Sequence, residues 1–484
     1  MQYGSSTGQR LAVLALSGVL AACAVPPAPR AAAPLKTGEA LGDVQGLSGD
    51  AADFPADRWW TAYGDAGLDA LIEEALAKSP DMALAAARIR AADAASERAG
   101  GTLLPTLTVD GAVGGNKQSY NLGIPAQFVP KGVIETGKLS ATLGLNLDLW
   151  GRNRAALAAA RGEAQAARVD AAQARLMLAS GIALSWGNLA QLTASRDLAL
   201  RSVDALSGIE RLTGERVRAG IDNRADHELA TARRAGAEQA LAALNELIAL
   251  ERNRLAALIG AGPDRAERLP VPAPDLSRTA GVPANLAANL LGRRPDIVAA
   301  RLRAEAAAAR VTSARRAFYP DINLAAVAGL QSLGLDQLFA SGSTFANFGP
   351  AISLPIFDGA RLTSNYNAVE AGYDEAVARY DQTLLGALRE VADALDSRRA
   401  LAERLLAART AARSATEAAR LARLRHGQGI ANLLQVLSAE DAALANQRAL
   451  AELEARAFLL DVTLVRALGG GFTAPATDTE QTDR

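Results

Sequence analysis

Four short segments of the chain alternate apolar and polar residues. The clearest runs from Lys138 to Trp150, where every odd position from Leu139 to Leu149 is leucine or alanine and the even positions are mostly small and polar. A period of two is typical of a β-strand with one apolar face. The predicted strands cover about 103–114, 138–150, 320–331 and 345–357.

A half-buried sheet in a soluble protein would show the same alternation. Two features favour a membrane. Segments of about 10 residues suit a tilted membrane strand, and aromatic residues stand at the strand ends, where the girdles of membrane barrels lie. Lipid does not tolerate an open sheet edge, and single-chain barrels need about eight strands, so four strands predict a barrel shared by several copies. The aromatic residues are Trp150, Phe318, Tyr319 and Phe357.

Two long stretches without proline indicate helices that are too long to fit within a globular core. No proline occurs between Pro130 and Pro263 or between Pro355 and Pro475. Within the first stretch, Ile182, Trp186 and Leu189 recur at spacings of four and three, as in the seam of a coiled coil. The predicted long helices run from Gly151 to about Ala219 and from about Arg361 to His426, each spanning about 100 Å.

Matching turns end the two long helices. Gly220-Ile221 and Gly429-Ile430 stand at these turns, and glycine can adopt the positive φ that reverses a chain after a helix. Shorter returning helices are predicted at about 229–259 and 438–468. The pattern therefore predicts two helical hairpins whose tips lie far from the strands.

The order helix, strand, strand, long helix, returning helix occurs twice. The two prolines that bound the first helix have the same spacing in both copies (105 − 80 = 25 and 320 − 295 = 25). A repeat of this length indicates a duplicated domain. The predicted boundaries are a first repeat at 56–262, a linker at 263–293, a second repeat at 294–470 and a disordered tail at 471–484.

The first residues predict secretion and a lipid anchor. Arg10 precedes an apolar run, Leu11 to Ala22, that is too short to span a bilayer, so residues 1–22 are predicted to be a signal peptide. Leu20-Ala21-Ala22-Cys23 resembles the bacterial lipobox, and Cys23 is the only cysteine. Residues 23–55 then form a lipid anchor and proline-rich tether. Ala24 stands where an inner-membrane retention signal has aspartate, which favours the outer membrane.

Composition argues against catalysis and nucleic-acid binding. The 51 basic and 52 acidic residues nearly cancel, which predicts no polyanion partner. Only two histidines and one cysteine are present, and no glycine-rich nucleotide loop precedes a helix. We therefore expect no enzyme activity, no cofactor and no metal site.

Taken together, the motifs resemble one protein family over roughly residues 55–470. They are similar to the outer membrane factor lipoproteins, the OprM-like, NodT-type members of the TolC superfamily that serve resistance-nodulation-division efflux pumps. The motifs are the lipobox, Asp57-Arg58-Trp59-Trp60, Leu147-Asp148-Leu149-Trp150-Gly151-Arg152, Arg293-Arg294-Pro295-Asp296-Ile297, Leu354-Pro355-Ile356-Phe357-Asp358-Gly359 and Glu390-Val391-Ala392-Asp393-Ala394-Leu395.

This resemblance implies an α+β membrane protein that is a homotrimer. Each chain would give four strands to a 12-stranded barrel in outer-membrane lipid, and its hairpins to a periplasmic tunnel. The channel would be passive and export small molecules that an inner-membrane pump delivers through a periplasmic adaptor protein.

The resemblance also implies roles for residues at the tips. Gly220-Ile221 and Gly429-Ile430 would dock the adaptor. Asp226, Gln435 and Ser438 match positions that narrow the periplasmic mouth in the family, although the second copy lacks the acidic residue that a doubled acidic ring requires.

Two other interpretations remain open at this point. One is an exit duct of the TolC type for protein secretion, against which the lipobox argues mildly. The other is a lipid-anchored periplasmic coiled-coil scaffold, which would not explain strands with leucine at alternate positions.

Overall fold

The computed structural model of the chain describes residues 34–36, 53–121, 123–273 and 291–474. The predicted signal peptide, the predicted lipidation site Cys23 and most of the tether lie outside these residues, as do positions 475–484 of the predicted tail. In the part of the chain that is described, no helix is both long enough and apolar enough to cross a bilayer.

The order helix, strand, strand, long helix, returning helix occurs in both copies, and matching helices have equal lengths; α1 and α5 stand outside this repeat. The matching helices have 22 residues in α2 and α6, 67 in α3 and α7, and 35 in α4 and α8. The elements are α1 (Ala66–Lys78), α2 (Pro80–Gly101), β1 (Thr106–Asn116), β2 (Ile134–Asn146), α3 (Arg152–Arg218), α4 (Arg224–Leu258), α5 (Pro263–Glu267), α6 (Pro295–Arg316), β3 (Asp321–Leu333), β4 (Thr344–Ser353), α7 (Arg361–Gly427) and α8 (Leu433–Ala467).

The chain forms two compact units. The sheet unit contains Ile89–Ala166 and Ala300–Arg379, and therefore all four strands and the helix ends next to them. The hairpin unit contains Leu35–Arg88, Ala167–Ala299 and Tyr380–Arg484, and therefore both hairpin tips.

In the sheet unit, the strands form one antiparallel sheet in the order β1-β2-β3-β4. Leu107 pairs with Leu143, Leu143 with Ala326, and Ala326 with Phe348. Because paired residues share a face and successive residues alternate, one face is apolar and the other is largely polar. The apolar face holds Leu107, Val109, Val113, Leu139, Ala141, Leu143, Leu145, Ile322, Leu324, Ala326, Ala328, Leu330, Ala346, Phe348, Pro350 and Ile352.

The predicted end of the second strand is wrong by four residues. β2 ends at Asn146, although the leucine alternation continues to Leu149. Asp148 has a φ of 42° and leaves the extended conformation, and its carboxylate accepts hydrogen bonds from the backbone N–H groups of Asn153 and Arg154 (2.8 and 3.0 Å). The side chain of Asp148 therefore caps α3 and turns the chain where the pattern alone predicted strand. β2 also begins earlier than predicted, at Ile134.

The fourth strand is shorter than predicted for a related reason. β4 ends at Ser353, four residues before the predicted end at 357. The Asp358 carboxylate accepts a hydrogen bond from the Leu362 N–H (2.8 Å) at the start of α7. An aspartate therefore stands at the same place in both copies, between the second strand of the copy and its long helix.

The hairpin unit has its own aromatic core. The Trp186 indole N–H donates to Asp65 Oδ2 (2.7 Å), and the Tyr63 hydroxyl donates to Asp461 Oδ2 (2.8 Å). Ile182 and Leu189 are buried beside Trp186, as the coiled-coil spacing predicted. Gly187 lies against the Phe458 ring, where an added Cβ would come within 2.6 Å, so a helix with a side chain there could not approach α8 as closely.

Candidate functional site

The two hairpin tips have the same backbone turn. At the first tip, Gly220 has a φ of 71° and the Ile221 N–H donates to the Arg216 carbonyl (2.9 Å). At the second, Gly429 has a φ of 74° and the Ile430 N–H donates to the Arg425 carbonyl (2.9 Å). This pattern closes a helix with a left-handed residue. The turns are related by a constant offset (429 − 220 = 209).

An asparagine caps the returning helix after each tip. The Asn223 side chain accepts a hydrogen bond from the backbone N–H of Asp226 (2.9 Å), and Asn432 does the same for Gln435 (3.0 Å). α4 and α8 begin five residues before the predicted positions (229 − 224 = 5 and 438 − 433 = 5). The reason is that each asparagine side chain satisfies a backbone N–H group of the first helical turn, which has no partner within the helix.

Apolar side chains project from both turns. Ile221 is 63% exposed and Ile430 is 72% exposed. Leu434, the second residue of α8, is also exposed, while its counterpart in the first copy is Ala225. The second tip therefore carries more exposed apolar surface than the first.

The tips differ in the side chains that hold the turn. At the first tip, the Arg216 guanidinium makes two hydrogen bonds to the Asp222 carboxylate (2.7 and 3.0 Å). These hydrogen bonds hold the pKa of the Asp222 carboxyl below its usual 3.8. The second tip has Ala431 in place of Asp222, and there the His426 ring Nδ1 donates to the Ala431 carbonyl (2.9 Å). The Arg216–Asp222 ion pair thus stabilises the first turn, and a single hydrogen bond from the His426 imidazole stabilises the second.

Contacts between the hairpins bring the two tips together. Leu206 of α3 packs against Leu433 and Leu437 of α8. The Arg233 guanidinium of α4 donates to Asp441 Oδ2 of α8 (2.7 Å). Both hairpin tips belong to the hairpin unit, so one chain presents them side by side.

The predicted aperture residues lie in the first turns of the returning helices. Asp226 and Gln435 occupy equivalent positions (226 + 209 = 435), with Asp226 partly buried and Gln435 exposed. Ser438 is exposed one turn further along α8. Arg224 reaches Glu228 (3.5 Å), so this arginine has a carboxylate partner other than Asp226.

Sequence reasoning missed the polar contacts that brace the first hairpin. The Thr231 hydroxyl donates to Glu210 Oε1 (2.9 Å), and Arg234 pairs with the same carboxylate (2.6 Å). The hydrogen bond from Thr231 is the main cause of a lowered pKa at Glu210. These residues lie on opposite arms of the hairpin, so only the register of the two helices would have revealed the contact.

A second candidate surface is the apolar face of the sheet. Aromatic residues flank it at the helix side, where the Trp150 and Tyr319 rings stack at 5.3 Å and the Trp150 N–H donates to the Pro320 carbonyl (2.7 Å). Phe357 is 89% exposed in the single chain. Within the described ranges, no group of three or more His, Cys, Asp or Glu residues could hold a metal ion.

Comparisons with known proteins agree with these features. Residues 71–261 and 286–470 match the family model described as "Outer membrane efflux protein". The multidrug resistance outer membrane protein MdtP of Escherichia coli is 32% identical over 436 residues, which cover 87% of this chain and 88% of MdtP. The toluene efflux pump outer membrane protein TtgC of Pseudomonas putida is 30% identical over 423 residues, covering 86% of this chain and 85% of TtgC.

Solved structures share the fold. The crystal structure of the outer membrane protein VceC from Vibrio cholerae has a TM-score of 0.81 and 40% identity, over 87% of this chain and 100% of VceC. The outer-membrane channel OprN has a TM-score of 0.81 and 27% identity, over 93% of this chain and 99% of OprN. These likenesses confirm the predicted fold class, in which long helical hairpins accompany a small antiparallel sheet.

Proposed function

The chain belongs to the outer membrane efflux protein family, and on that premise we propose that three copies form the passive exit channel of a tripartite efflux pump. The strands of three chains complete one barrel in the outer membrane, and the hairpins extend it as a tunnel into the periplasm. A periplasmic adaptor and an inner-membrane pump of the resistance-nodulation-division type deliver the substrate.

The observation that carries the proposal is the two-faced sheet with unpaired edges. β1 and β4 are the outer strands of the four-stranded sheet, and every residue of β1 is exposed in the single chain. Free edges are not tolerated in lipid, so other chains must pair with them. The apolar face then contacts lipid, and the face with Thr142, Asn323 and Asn347 lines the water-filled lumen.

An efflux assay tests the function directly. A host that lacks its own outer-membrane efflux channels would receive this chain together with its pump and adaptor, and dye accumulation would be followed. Export should be restored only when all three components are present. Dye retention unchanged by this chain, with the chain correctly located in the outer membrane, would contradict the proposal.

The tips dock the adaptor in this proposal. Gly220-Ile221 and Gly429-Ile430 support it, because both turns present an exposed isoleucine on the same backbone geometry. A cysteine introduced at position 221 or 430, in a Cys23→Ser background, should crosslink to the adaptor. A cysteine at position 197, exposed on α3 away from the tips, serves as the control and should not.

The aperture and the anchor complete the proposal. Asp226, Gln435 and Ser438 narrow the periplasmic mouth, and conductance in planar bilayers should rise in Asp226→Ala and Gln435→Ala channels. Wild-type conductance in both would remove these residues from the gate. Cys23 carries the lipid, so Cys23→Ser should abolish incorporation of labelled palmitate, while the barrel keeps the protein in the membrane fraction.

The exported compounds are small organic toxicants. MdtP is named for multidrug resistance, TtgC for toluene efflux, and FusA of Burkholderia cepacia, 33% identical over 374 residues that cover 75% of this chain and 69% of FusA, for fusaric acid resistance. Minimal inhibitory concentrations of these compound classes, measured in the restored strain, would show which class the pump accepts.

A further inference from the structure

A groove in the sheet unit lies where three helices meet the strands. Its volume is about 350 Å³, and α3, α6 and α7 form its walls. α3 begins six residues after β2 (152 − 146 = 6), and α6 ends five residues before β3 (321 − 316 = 5). The channel proposed above assigns this groove no role. Its lining is Arg152, Ala156, Ala159, Ala160, Arg310, Ser313, Ala314, Ala317, Asn365 and Val369.

The lining separates into an apolar floor and a basic rim. Alanines and one valine form the floor, while Arg152, Arg310, Ser313 and Asn365 supply the polar groups. The Ser313 hydroxyl donates to the Arg152 carbonyl (3.0 Å), which fixes α6 against the first turn of α3. Arg361 is exposed at the first position of α7, four residues before Asn365, but it is not among the residues that line the groove.

The residues that line the groove carry two positive charges, and one of them is paired with a carboxylate outside the lining. No carboxylate is among its lining residues. Arg310 uses its Nη2 for Glu163 (2.8 Å), which leaves the remaining guanidinium N–H groups for another acceptor. Two acids that precede α3 and α7 have partners of their own, because Asp148 pairs with Arg154 (3.2 Å) and Asp358 accepts from the backbone N–H of Leu362 (2.8 Å).

The groove also lies at a defined depth relative to the apolar face. The stacked pair Trp150 and Tyr319 and the exposed Phe357 stand between the strands and the helices that line it. Aromatic residues of this kind mark the boundary between hydrocarbon and headgroups. The groove lies on the helix side of these aromatic residues, and therefore at the level of the lipid phosphates.

We propose that this groove binds the phosphate-bearing headgroup of a glycerophospholipid in the inner leaflet of the outer membrane. The arginine forks pair with the phosphate oxygens, Asn365 donates to a remaining oxygen, and the alanine floor takes the glycerol and the first acyl carbons. The proposal rests on the outer-membrane location described above, and it adds a lipid that holds α3, α6 and α7 together below the barrel.

Native mass spectrometry of the detergent-extracted protein tests this site. Dioleoyl phosphatidylglycerol is added to the wild type, to Arg152→Gln/Arg310→Gln and to Asn365→Asp, with dioleoylglycerol as the lipid without phosphate. The wild type should bind the phospholipid and not dioleoylglycerol. Each variant should bind it about tenfold more weakly, because charge-assisted hydrogen bonds are lost or a carboxylate repels the phosphate.

Matched controls separate this site from general charge effects. Arg201→Gln removes an exposed arginine of α3 in the hairpin unit and should leave phospholipid binding unchanged. Asn365→Asp leaves the Arg310–Glu163 pair intact, so it remains informative if the double variant fails to fold. Equal phospholipid binding in wild type and Asn365→Asp, or equal binding of dioleoylglycerol, would overturn the proposal.

Two further outcomes also decide against the site. Inorganic phosphate that binds as tightly as the phospholipid would mean a free-anion site. Altered ion selectivity in the variants with unchanged phospholipid binding would mean that the groove opens to the lumen. The same spectra count chains per particle, so a failed lipid site in an intact trimer is distinguishable from failure of the channel proposal.

Discussion

The hairpin unit buries a core of large apolar residues, whereas the sheet unit exposes many of its own in the single chain. In the hairpin unit, Trp60, Trp186 and Phe458 are almost completely buried. In the sheet unit, Val109, Phe348 and Ile352 are each about seven-tenths exposed or more in the single chain. The first unit obtains its stability from burial within one chain. The second depends on lipid and on other chains to cover surface that a soluble monomer would hide.

This difference shows where each unit is vulnerable. A core that is close-packed responds to a single added methyl group. A lipid-facing sheet tolerates changes of apolar shape but not a charge. Paired substitutions at neighbouring or equivalent positions therefore separate the effect of one face or one contact from the general effect of a substitution.

The largest effect is expected on the apolar face of the sheet. Ala141→Arg places a charge in lipid and should cost about 2–4 kcal/mol per chain, because arginine is unfavourable near the bilayer centre. Thr142→Arg, the next residue along β2, points to the opposite face and should assemble normally. Heat-modifiable trimers in membrane fractions measure the outcome. Equal assembly of both variants would show that the two faces are assigned wrongly.

A smaller but clear effect is expected in the aromatic core of the hairpin unit. Gly187→Ala would push a Cβ to 2.6 Å from the Phe458 ring and should destabilise the protein by about 1–3 kcal/mol through overpacking. Gly181→Ala, on the same helix, meets nothing within 4 Å and should be neutral or stabilising, since alanine favours helix. Thermal unfolding of the two variants checks this. A lower midpoint for Gly181→Ala than for Gly187→Ala would contradict the packing.

Replacing a tip glycine with alanine should destabilise its turn by about 1–2 kcal/mol, because alanine is strained at a positive φ. Gly220→Ala and Gly429→Ala should each increase amide hydrogen exchange in their own turn and leave the other turn unchanged. Gly208→Ala, within α3 and with open space around it, is the control. Exchange that rises in both turns after one substitution would mean that the tips open as one unit.

The smallest effect is expected from the ion pair of the first tip. Asp222→Asn removes the contact with Arg216 and should increase exchange at Gly220 and Ile221 several-fold, with no change at Gly429. The pKa of Asp222 is lowered, so its contribution is complete above the usual value of 3.8 and is lost as the pH falls through the lowered value. The protection factors of wild-type Gly220 and Ile221, which are corrected for the pH dependence of intrinsic exchange, should therefore fall in acid toward those of the variant. A pH-independent difference would exclude the ion pair as its cause.

Much of this architecture could be predicted, because it follows from periodicity. The alternation along Leu139–Leu145 and the glycines at 220 and 429 identified the sheet faces and the tips. Proline spacing revealed the two copies.

The contacts that set boundaries could not be predicted, because they depend on side chains finding backbone groups. Asp148 ends β2 and caps α3, and Asn223 and Asn432 start the returning helices early. Arg294 is buried, where it pairs with two carboxylates and donates to the Ala467 carbonyl, although a charged residue in a sequence predicts surface. Such residues become predictable only when the partner helix is placed.

Counting the chains in one detergent-extracted particle tests the central claim most directly. Light scattering combined with refractive-index and absorbance detection separates the protein mass from that of the detergent. Three chains per particle, with no water-soluble monomer when the Cys23→Ser protein is prepared without detergent, is the result that a shared barrel requires. A monodisperse monomer that remains in aqueous buffer would contradict it.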